Sequence, residues 1–277
     1  MLRADWPEIA SSAAQLGIRV AMAPNGIHVD AQAAARMREC GIERAAISLD
    51  FPTAELHDEF RGVRGAFAAA MRALRLLREA GIETQVNATL TELNAAHLGA
   101  LISLALAVGA VAFHPFLLVE TGRGEKLAGN GLTAERCEEM MRRLRERQVA
   151  LAGRMAIKPT DMPQYCRVAM PEGARPGIGL DVMTRGCLAG RRFCFISSRG
   201  EVRPCGYLPL ACGSLRVSRL AGIWRESAVL RALRDDGRLK GKCGGCEFKR
   251  ICGGCRARAF ARTGDWMAAE PLCVYAR

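Results

Sequence analysis

The chain has 277 residues, half of them apolar, and 40 Lys and Arg against 28 Asp and Glu give it a formal charge of +12. A chain of this length can bury a core without staples, so twelve cysteines do not mark it as a small secreted cystine domain. The arginine surplus suits carboxylates and phosphates and leaves an anionic small molecule, a solvated surface and nucleic acid open, the last ranked lowest because 5% of residues are aromatic and no helix-turn-helix or RNP-like motif is present.

No N-terminal apolar stretch resembles a signal peptide. The longest apolar run, LGALISLALAVGAVAF, lies mid-chain and is interrupted by Ser103 and by glycines, so a cytoplasmic protein without a membrane span is expected. Four times in the first half, an alanine-rich amphipathic segment ends in glycine and an apolar run follows: AAQLGIRVAM at Gly17, MRECGIERAAISLD at Gly41, LREAGIETQVNATLT at Gly81 and LAVGAVAFHPFLLVE at Gly109. Each unit reads as helix, left-handed cap and strand, and alternation of the two predicts an α/β fold with parallel pairing and right-handed crossovers. In the third unit Phe67, Met71, Leu74 and Leu77 are expected on the buried helical face.

Ligands in such folds gather at the carboxyl ends of the strands. Polar residues collect there: Asn25 and Gly26, then Ser48 and Asp50, then Asn87, Thr89 and Asn94, then Glu120 to Gly124. Asn94 is expected to cap the helix begun by AAHLGAL, and Thr133 to begin another that runs to about Leu151. A looser stretch from about Met155 to Gly186, with Pro159, Pro163, Pro171 and Pro176, marks a boundary. The expected organisation is an α/β domain over 1–160, a linker over 161–186 and a cysteine-rich domain over 187–277. Within the last, LAGIWRESAVLRALRDD reads as a helical insert in which Trp224 packs rather than stacks on a ligand.

Eight cysteines define that domain: Cys187, Cys194 and Cys205, then Cys243, Cys246, Cys252 and Cys255 spaced C-x2-C-x5-C-x2-C, then Cys273. Glycine pairs between the sulfurs let the backbone curl so that neighbouring thiolates share a centre. Zinc ribbons separate their two knuckles by roughly 15 to 20 residues, which five residues cannot match. Iron-sulfur clusters take four thiolates each, so eight sulfurs make two sets with Cys212 left over, and one cluster or a zinc site is the fallback. Cys40, Cys137 and Cys166 stand alone and read as buried small hydrophobes.

The segments GCLAGRRFCFISSRGEVRPCGYLPLACGSLR, GKCGGCEFKRICGGCRARAFARTGDW and PLCVY closely resemble the C-terminal domain of radical S-adenosylmethionine proteins of the SPASM type. Most members have three residues between the last two cluster cysteines where this chain has two. That spacing, with CGGCRARA and TGDW, resembles the subgroup acting on haem precursors, namely the d1-haem maturation protein and the 12,18-didecarboxysiroheme deacetylase, and CFIS and PCGYLP lean toward the deacetylase.

The resemblance implies an incomplete radical-SAM partial (β/α) barrel followed by an iron-sulfur domain with one or two auxiliary [4Fe-4S] clusters. One would be held by Cys187, Cys194, Cys205 and Cys255, the other by Cys243, Cys246, Cys252 and Cys273. It places Ser48, Asp50, Gln85 and Asn87 on strands lining an S-adenosyl-L-methionine site. It implies a carboxylate-rich tetrapyrrole substrate and an electron donor such as ferredoxin or flavodoxin.

The family's C-x3-C-x2-C motif and its GGEP segment are absent from these residues, while MLRADWPEI resembles what normally follows GGEP. The expectation is a chain truncated at its N-terminus, its reducing cluster held by the missing part. For the intact protein the resemblance implies reductive cleavage of S-adenosylmethionine, hydrogen abstraction from an acetate side chain of 12,18-didecarboxysiroheme and conversion to iron-coproporphyrin III. Arg123, Arg167, Arg256 and Arg258 are candidate carboxylate clamps, and His114 on an apolar strand reads as a core histidine before it reads as a proton donor. Three other readings remain open: a peptide-modifying SPASM maturase, a non-catalytic electron-transfer module, and a zinc-stabilised nucleic-acid binder whose affinity would fall steeply with salt.

Overall fold

A computed structural model describes residues 3–169 and 185–275, so Pro171 and Pro176 of the expected linker lie outside the described residues. The chain divides into two compact units, one of Met1–Phe116 and Glu146–Lys158, the other of Leu117–Arg145 and Pro159–Arg277. The second unit therefore takes in a segment from 117 to 145 that the sequence reading places in the α/β domain.

The first unit is built on a five-stranded sheet in the order β1 (Val20–Met22), β2 (Ile42–Ser48), β3 (Glu83–Leu90), β4 (Ala112–Leu117) and β5 (Ala156–Ile157). The pairings of β1 with β2, β2 with β3 and β4 with β5 are parallel. The four glycines of the repeat all take left-handed backbone, with φ of 74°, 82°, 74° and 73° at Gly17, Gly41, Gly81 and Gly109, so each helix stops where a Cβ would be strained and the strand starts at once. The expected α/β repeat is what forms.

The helix Ala66–Glu79 buries Ala66, Ala69, Ala70, Ala73, Leu74 and Leu77, whereas Phe67 and Met71 are only half-buried. The buried stripe is thus rotated from the expected one, because alanines allow close approach that Phe67 and Met71 would prevent. At Gly26, with φ of 87°, an added Cβ would lie 3.1 Å from Ala70 Cα, so the loop after β1 is pressed against this helix. Gly26→Ala is expected to cost about 1–3 kcal/mol in unfolding free energy, from left-handed strain and that contact together; urea melts would measure it.

In the second unit a three-stranded antiparallel sheet runs in the order β6 (Phe195–Ile196), β7 (Glu201–Arg203) and β8 (Gly213–Ser214). The expected insert is two helices, Leu220–Glu226 and Ala228–Arg234, broken at Ser227. Trp224 packs with the buried group Ala189, Leu230 and Leu233, and the Arg234 guanidinium lies 4.7 Å from its ring centre, so it is a packing residue. The helix begun by Thr133 spans Ala134–Ala150, with the Arg136 N–H donating to Thr133 Oγ1 at 3.2 Å. Among the described residues no helix is long and apolar enough to cross a membrane.

Candidate functional site

Two places carry chemistry, one in each unit. In the first, β2 and β3 pair with Ala46 opposite Gln85 and Ser48 opposite Asn87. One face of this pair is closed: Ala45, Ile47, Val86 and Ala88 are at most 1% exposed. The other carries Ala46, Ser48, Asn87 and Thr89, all half-buried, and there Gln85 Nε2 donates to Asn87 Oδ1 at 2.6 Å. Ser48 and Asn87, half-buried, and Gln85, buried at 9% exposure, thus share one polar stretch of sheet.

Asp50 is different. Its carboxylate is fully buried; Oδ1 accepts from the Thr89 N–H at 2.8 Å and Oδ2 lies 2.5 Å from an Arg61 guanidinium nitrogen. Asn94 joins the same network. Its side chain accepts from the Thr91 N–H at 2.9 Å and donates to the Asp50 and Thr89 carbonyls at 3.0 and 2.8 Å. It stands ahead of a 3₁₀ turn, Ala95–His97, without capping it, because the side chain is spent on fixing the ends of β2 and β3 to each other.

His57 completes this network, its Nδ1 accepting from the Asp50 N–H at 3.2 Å, which keeps that nitrogen unprotonated. Burial holds the imidazole below its usual 6.5, with Asp50 opposing and Arg61 assisting. The unfolded chain therefore takes up a proton on His57 before the folded one does, so this contribution to stability is present above about pH 6.5 and is lost progressively as pH falls below that value through the lowered folded pKa. Thermal unfolding should show the loss, and His57→Gln should flatten it.

The second place is the cysteine region. Cys243, Cys246, Cys252 and Cys273 line one cavity, together with Lys242, Lys249, Glu270 and Tyr275. Two main-chain donors reach their sulfurs: the Glu270 N–H to Cys243 Sγ at 3.2 Å and the Gly254 N–H to Cys252 Sγ at 3.4 Å. Such bonds favour the thiolate and help set the potential of a bound cluster. Gly253 and Gly254 are consecutively left-handed, with φ of 72° and 60°, as the glycine-pair reasoning expects. Gly244 and Gly245 instead lie in a short helix, Gly241–Gly245, where the missing Cβ of Gly244 makes room for the Leu239 carbonyl.

Cys205 packs with Cys187 in one apolar cluster and with Cys255 in another. Burial pushes the Cys205 thiol up to about 11, with Cys187 and Asp161 adding to the rise, and Cys255 is raised by the same two neighbours after burial and Glu270, with Arg258 opposing. Cys212, the leftover cysteine, packs against the same apolar cluster as Cys187 and Cys205, and its thiol is raised by burial, with Cys194 adding to the rise. Cys187 is tied across to the other group, its N–H donating to the Cys252 carbonyl at 2.9 Å.

Among the described residues no three His, Cys, Asp or Glu side chains converge as ligands of a single metal ion do. Four thiolates are the donor set of a four-iron cluster. The donor chemistry fits such a cluster in both groups.

Glu270, missed in the sequence, and Arg258, read there as a candidate clamp for substrate carboxylates, organise both groups. Glu270 Oε2 accepts from the Cys255 N–H at 2.6 Å, while its own N–H is the donor to Cys243 Sγ. Arg258, 2% exposed, pairs with Glu270 at 3.1 and 3.2 Å and donates to the carbonyls of Leu117, Leu118 and Asp161. Arg256 is likewise buried, its guanidinium donating to the Gly254, Trp266 and Ala268 carbonyls. Arg167 pairs with Glu138 and lies over the Tyr275 ring. These three are structural, not carboxylate clamps; Arg123 alone of the four candidates is exposed, in the 3₁₀ segment Gly122–Asn130. His114 is buried on β4, as a core histidine would be. Cys40, Cys137 and Cys166 are at most 5% exposed, and burial pushes Cys137 to about 12 and Cys166 to about 11, which keeps them as inert thiols.

Residues 1–105 match the Radical SAM superfamily and residues 187–247 match SPASM, an iron-sulfur cluster-binding domain. The chain belongs to the Radical SAM superfamily, in the SPASM-bearing subgroup of haem biosynthesis, whose domains use [4Fe-4S] clusters and S-adenosylmethionine. It is 44% identical to the AdoMet-dependent heme synthase of Oleidesulfovibrio alaskensis, over 99% of this chain and 72% of that protein. It is 27% identical to the Fe-coproporphyrin III synthase of Methanosarcina barkeri, over 98% of this chain and 72% of the other. The crystal structure of Streptococcus suis SuiB bound to S-adenosylmethionine has the same fold, with a TM-score of 0.74 at 16% identity over 98% of this chain. This chain spans 63% of the SuiB chain.

Proposed function

We propose that this chain provides the S-adenosylmethionine-binding sheet and the auxiliary-cluster domain of a haem synthase that acts on the carboxylate-bearing side chains of an iron tetrapyrrole. The observation that carries this reading is the convergence of Cys243, Cys246, Cys252 and Cys273 on one cavity, in a chain 44% identical to an AdoMet-dependent heme synthase. The cofactor, when bound to a reduced cluster, supplies hydrogen abstraction at an unactivated carbon. Ser48, Gln85 and Asn87 offer hydroxyl and amide groups to its polar parts, while Asp50, ion-paired and buried, holds the strand ends that present them. Cys243, Cys246, Cys252 and Cys273 hold one auxiliary cluster, and Cys187, Cys205 and Cys255 contribute to the other, where an electron left on the substrate can be accepted. Ferredoxin or flavodoxin is the proposed donor of the initiating electron, and the cytoplasm the proposed setting.

A second reading is conversion of 12,18-didecarboxysiroheme to iron-coproporphyrin III, supported by the CFIS and PCGYLP segments and by the 27% identity to an Fe-coproporphyrin III synthase. The test is anaerobic incubation of the reconstituted full-length protein with S-adenosylmethionine, reductant and either iron-coproporphyrin III or 12,18-didecarboxysiroheme, with products resolved by mass. Haem from the first substrate supports the leading reading, and loss of acetate groups from the second supports its rival. Cleavage of S-adenosylmethionine with both tetrapyrroles untouched would sink both.

A further inference from the structure

Beside the cavity of Cys243, Cys246, Cys252 and Cys273 lies a second one, lined by Cys187, Arg185, Arg191, Asp236 and Arg256. Gly253 and Leu239 line both, so the two cavities share a wall. Arg185 stands against that wall. A Cβ added at Gly253 would lie 3.3 Å from Arg185 Nη2, 3.9 Å from Arg185 Nε and 3.7 Å from Cys187 Cβ, which places the guanidinium and the cysteine around one point. The same guanidinium donates to the Lys249 carbonyl at 3.2 Å and to the Arg250 carbonyl, in the run that leads into Cys252.

The charge of this second cavity is not balanced. Asp236 Oδ1 lies 2.6 Å from Arg185 Nη2 and also 2.6 Å from Arg191 Nη2, so two guanidiniums share one carboxylate. Arg256 is spent on carbonyls, and Asp235, the other acid of the lining, is exposed and accepts the Gly237 N–H at 2.9 Å. Arg185 Nε is buried and has no hydrogen-bond partner among the described residues. Guanidinium is a permanent cation, and a buried N–H without an acceptor is costly unless an anion meets it. A four-iron cluster held by thiolates is such an anion.

We propose that Arg185, sharing Asp236 with Arg191 beside Cys187, raises the midpoint potential of the cluster to which Cys187 belongs, and so fits that cluster to accept the electron left on the substrate. This inference rests on the reading of Cys187 as a cluster ligand. Reduction adds a negative charge to the cluster, and surplus positive charge with an N–H donor beside it stabilises the reduced form. Away from water the effect is weakly screened. Arg185 acts through the cluster rather than on the substrate.

The test uses the anaerobically reconstituted full-length protein, with iron per chain measured and the midpoint potential of each cluster followed by electron paramagnetic resonance. Cys187→Ala identifies the signal concerned, as the one it removes. In Arg185→Gln the one-electron equilibrium of that signal is expected to shift about tenfold toward the oxidised form, a potential lower by ~59 mV. Arg185→Lys, which keeps the charge, should stay closer to the parent. Asp236→Asn should move the potential upward, because it leaves two guanidiniums without their carboxylate. Arg185→Gln and Asp236→Asn break the same ion pair, so a merely structural contact would not give shifts of opposite sign. A parental potential in Arg185→Gln, an equal fall in Arg185→Lys, or a parental or lowered potential in Asp236→Asn overturns the proposal. Should Arg185→Gln lose its iron, the other two variants decide by the same criteria. Full iron in Cys187→Ala instead overturns the underlying reading of the cysteines, and the inference with it.

Discussion

Glu270→Ala is expected to lower the unfolding free energy by about 3–5 kcal/mol, because it leaves the Arg258 guanidinium buried with its carboxylate partner gone. The pair is nearly inaccessible, Arg258 at 2% and Glu270 at 1%, so solvent can neither screen the lost contact nor replace it. The same change removes the acceptor for the Cys255 N–H. Urea unfolding of the anaerobically reconstituted protein would show the effect as a lower midpoint. Glu270→Gln, which keeps an acceptor of similar shape, should fall between the parent and Glu270→Ala. A parental midpoint in Glu270→Ala would mean that the pair does not hold the cysteine region together.

Removing one cysteine at a time is expected to divide the iron into two separate losses. Alanine at Cys243, Cys246, Cys252 or Cys273 should each remove about four irons per chain and the same spectroscopic signal. Alanine at Cys187, Cys205 or Cys255 should remove a different signal. Cys40→Ala and Cys137→Ala should leave the iron unchanged, since both thiols are enclosed by apolar packing. Iron analysis with spectra of the reduced protein would decide it, and a single signal lost in all seven ligand variants would point to one cluster.

The helix-to-strand repeat was legible in the sequence because its signals are local: a glycine that must turn left-handed, an alanine stripe before it and an apolar run after it. The grouping of Cys243, Cys246, Cys252 and Cys273 around one cavity is the one that the family resemblance implies, where spacing alone would have put Cys255 in the place of Cys273. What escaped depends on distant partners. Arg256 and Arg258, in RARAFART, read as candidate clamps for a substrate's carboxylates, yet they are drawn inward by carbonyls and a carboxylate contributed by remote segments. Glu270 reads as one more acid beside a proline. Asn94 reads as a helix cap because its neighbours are right for one, but the Asp50 and Thr89 carbonyls claim its amide. In each case the deciding partner lies outside any window over which periodicity or capping rules operate.

The ladder in which the Gly186 and Cys187 N–H groups donate to the Ile251 and Cys252 carbonyls, at 2.7 and 2.9 Å, closes a loop at its neck. Bringing the ends of a segment of about 65 residues together costs on the order of 4 kcal/mol in chain entropy. The two main-chain bonds, at about 1 kcal/mol each, offset part of that cost, and packing of the enclosed segment supplies the rest. A cluster destroyed by oxygen would therefore leave the mouth of the loop in register, and the cysteines near the neck would remain neighbours. Rebuilding would be a local search among side chains rather than a refolding of the domain, which makes iron in this protein a replaceable part.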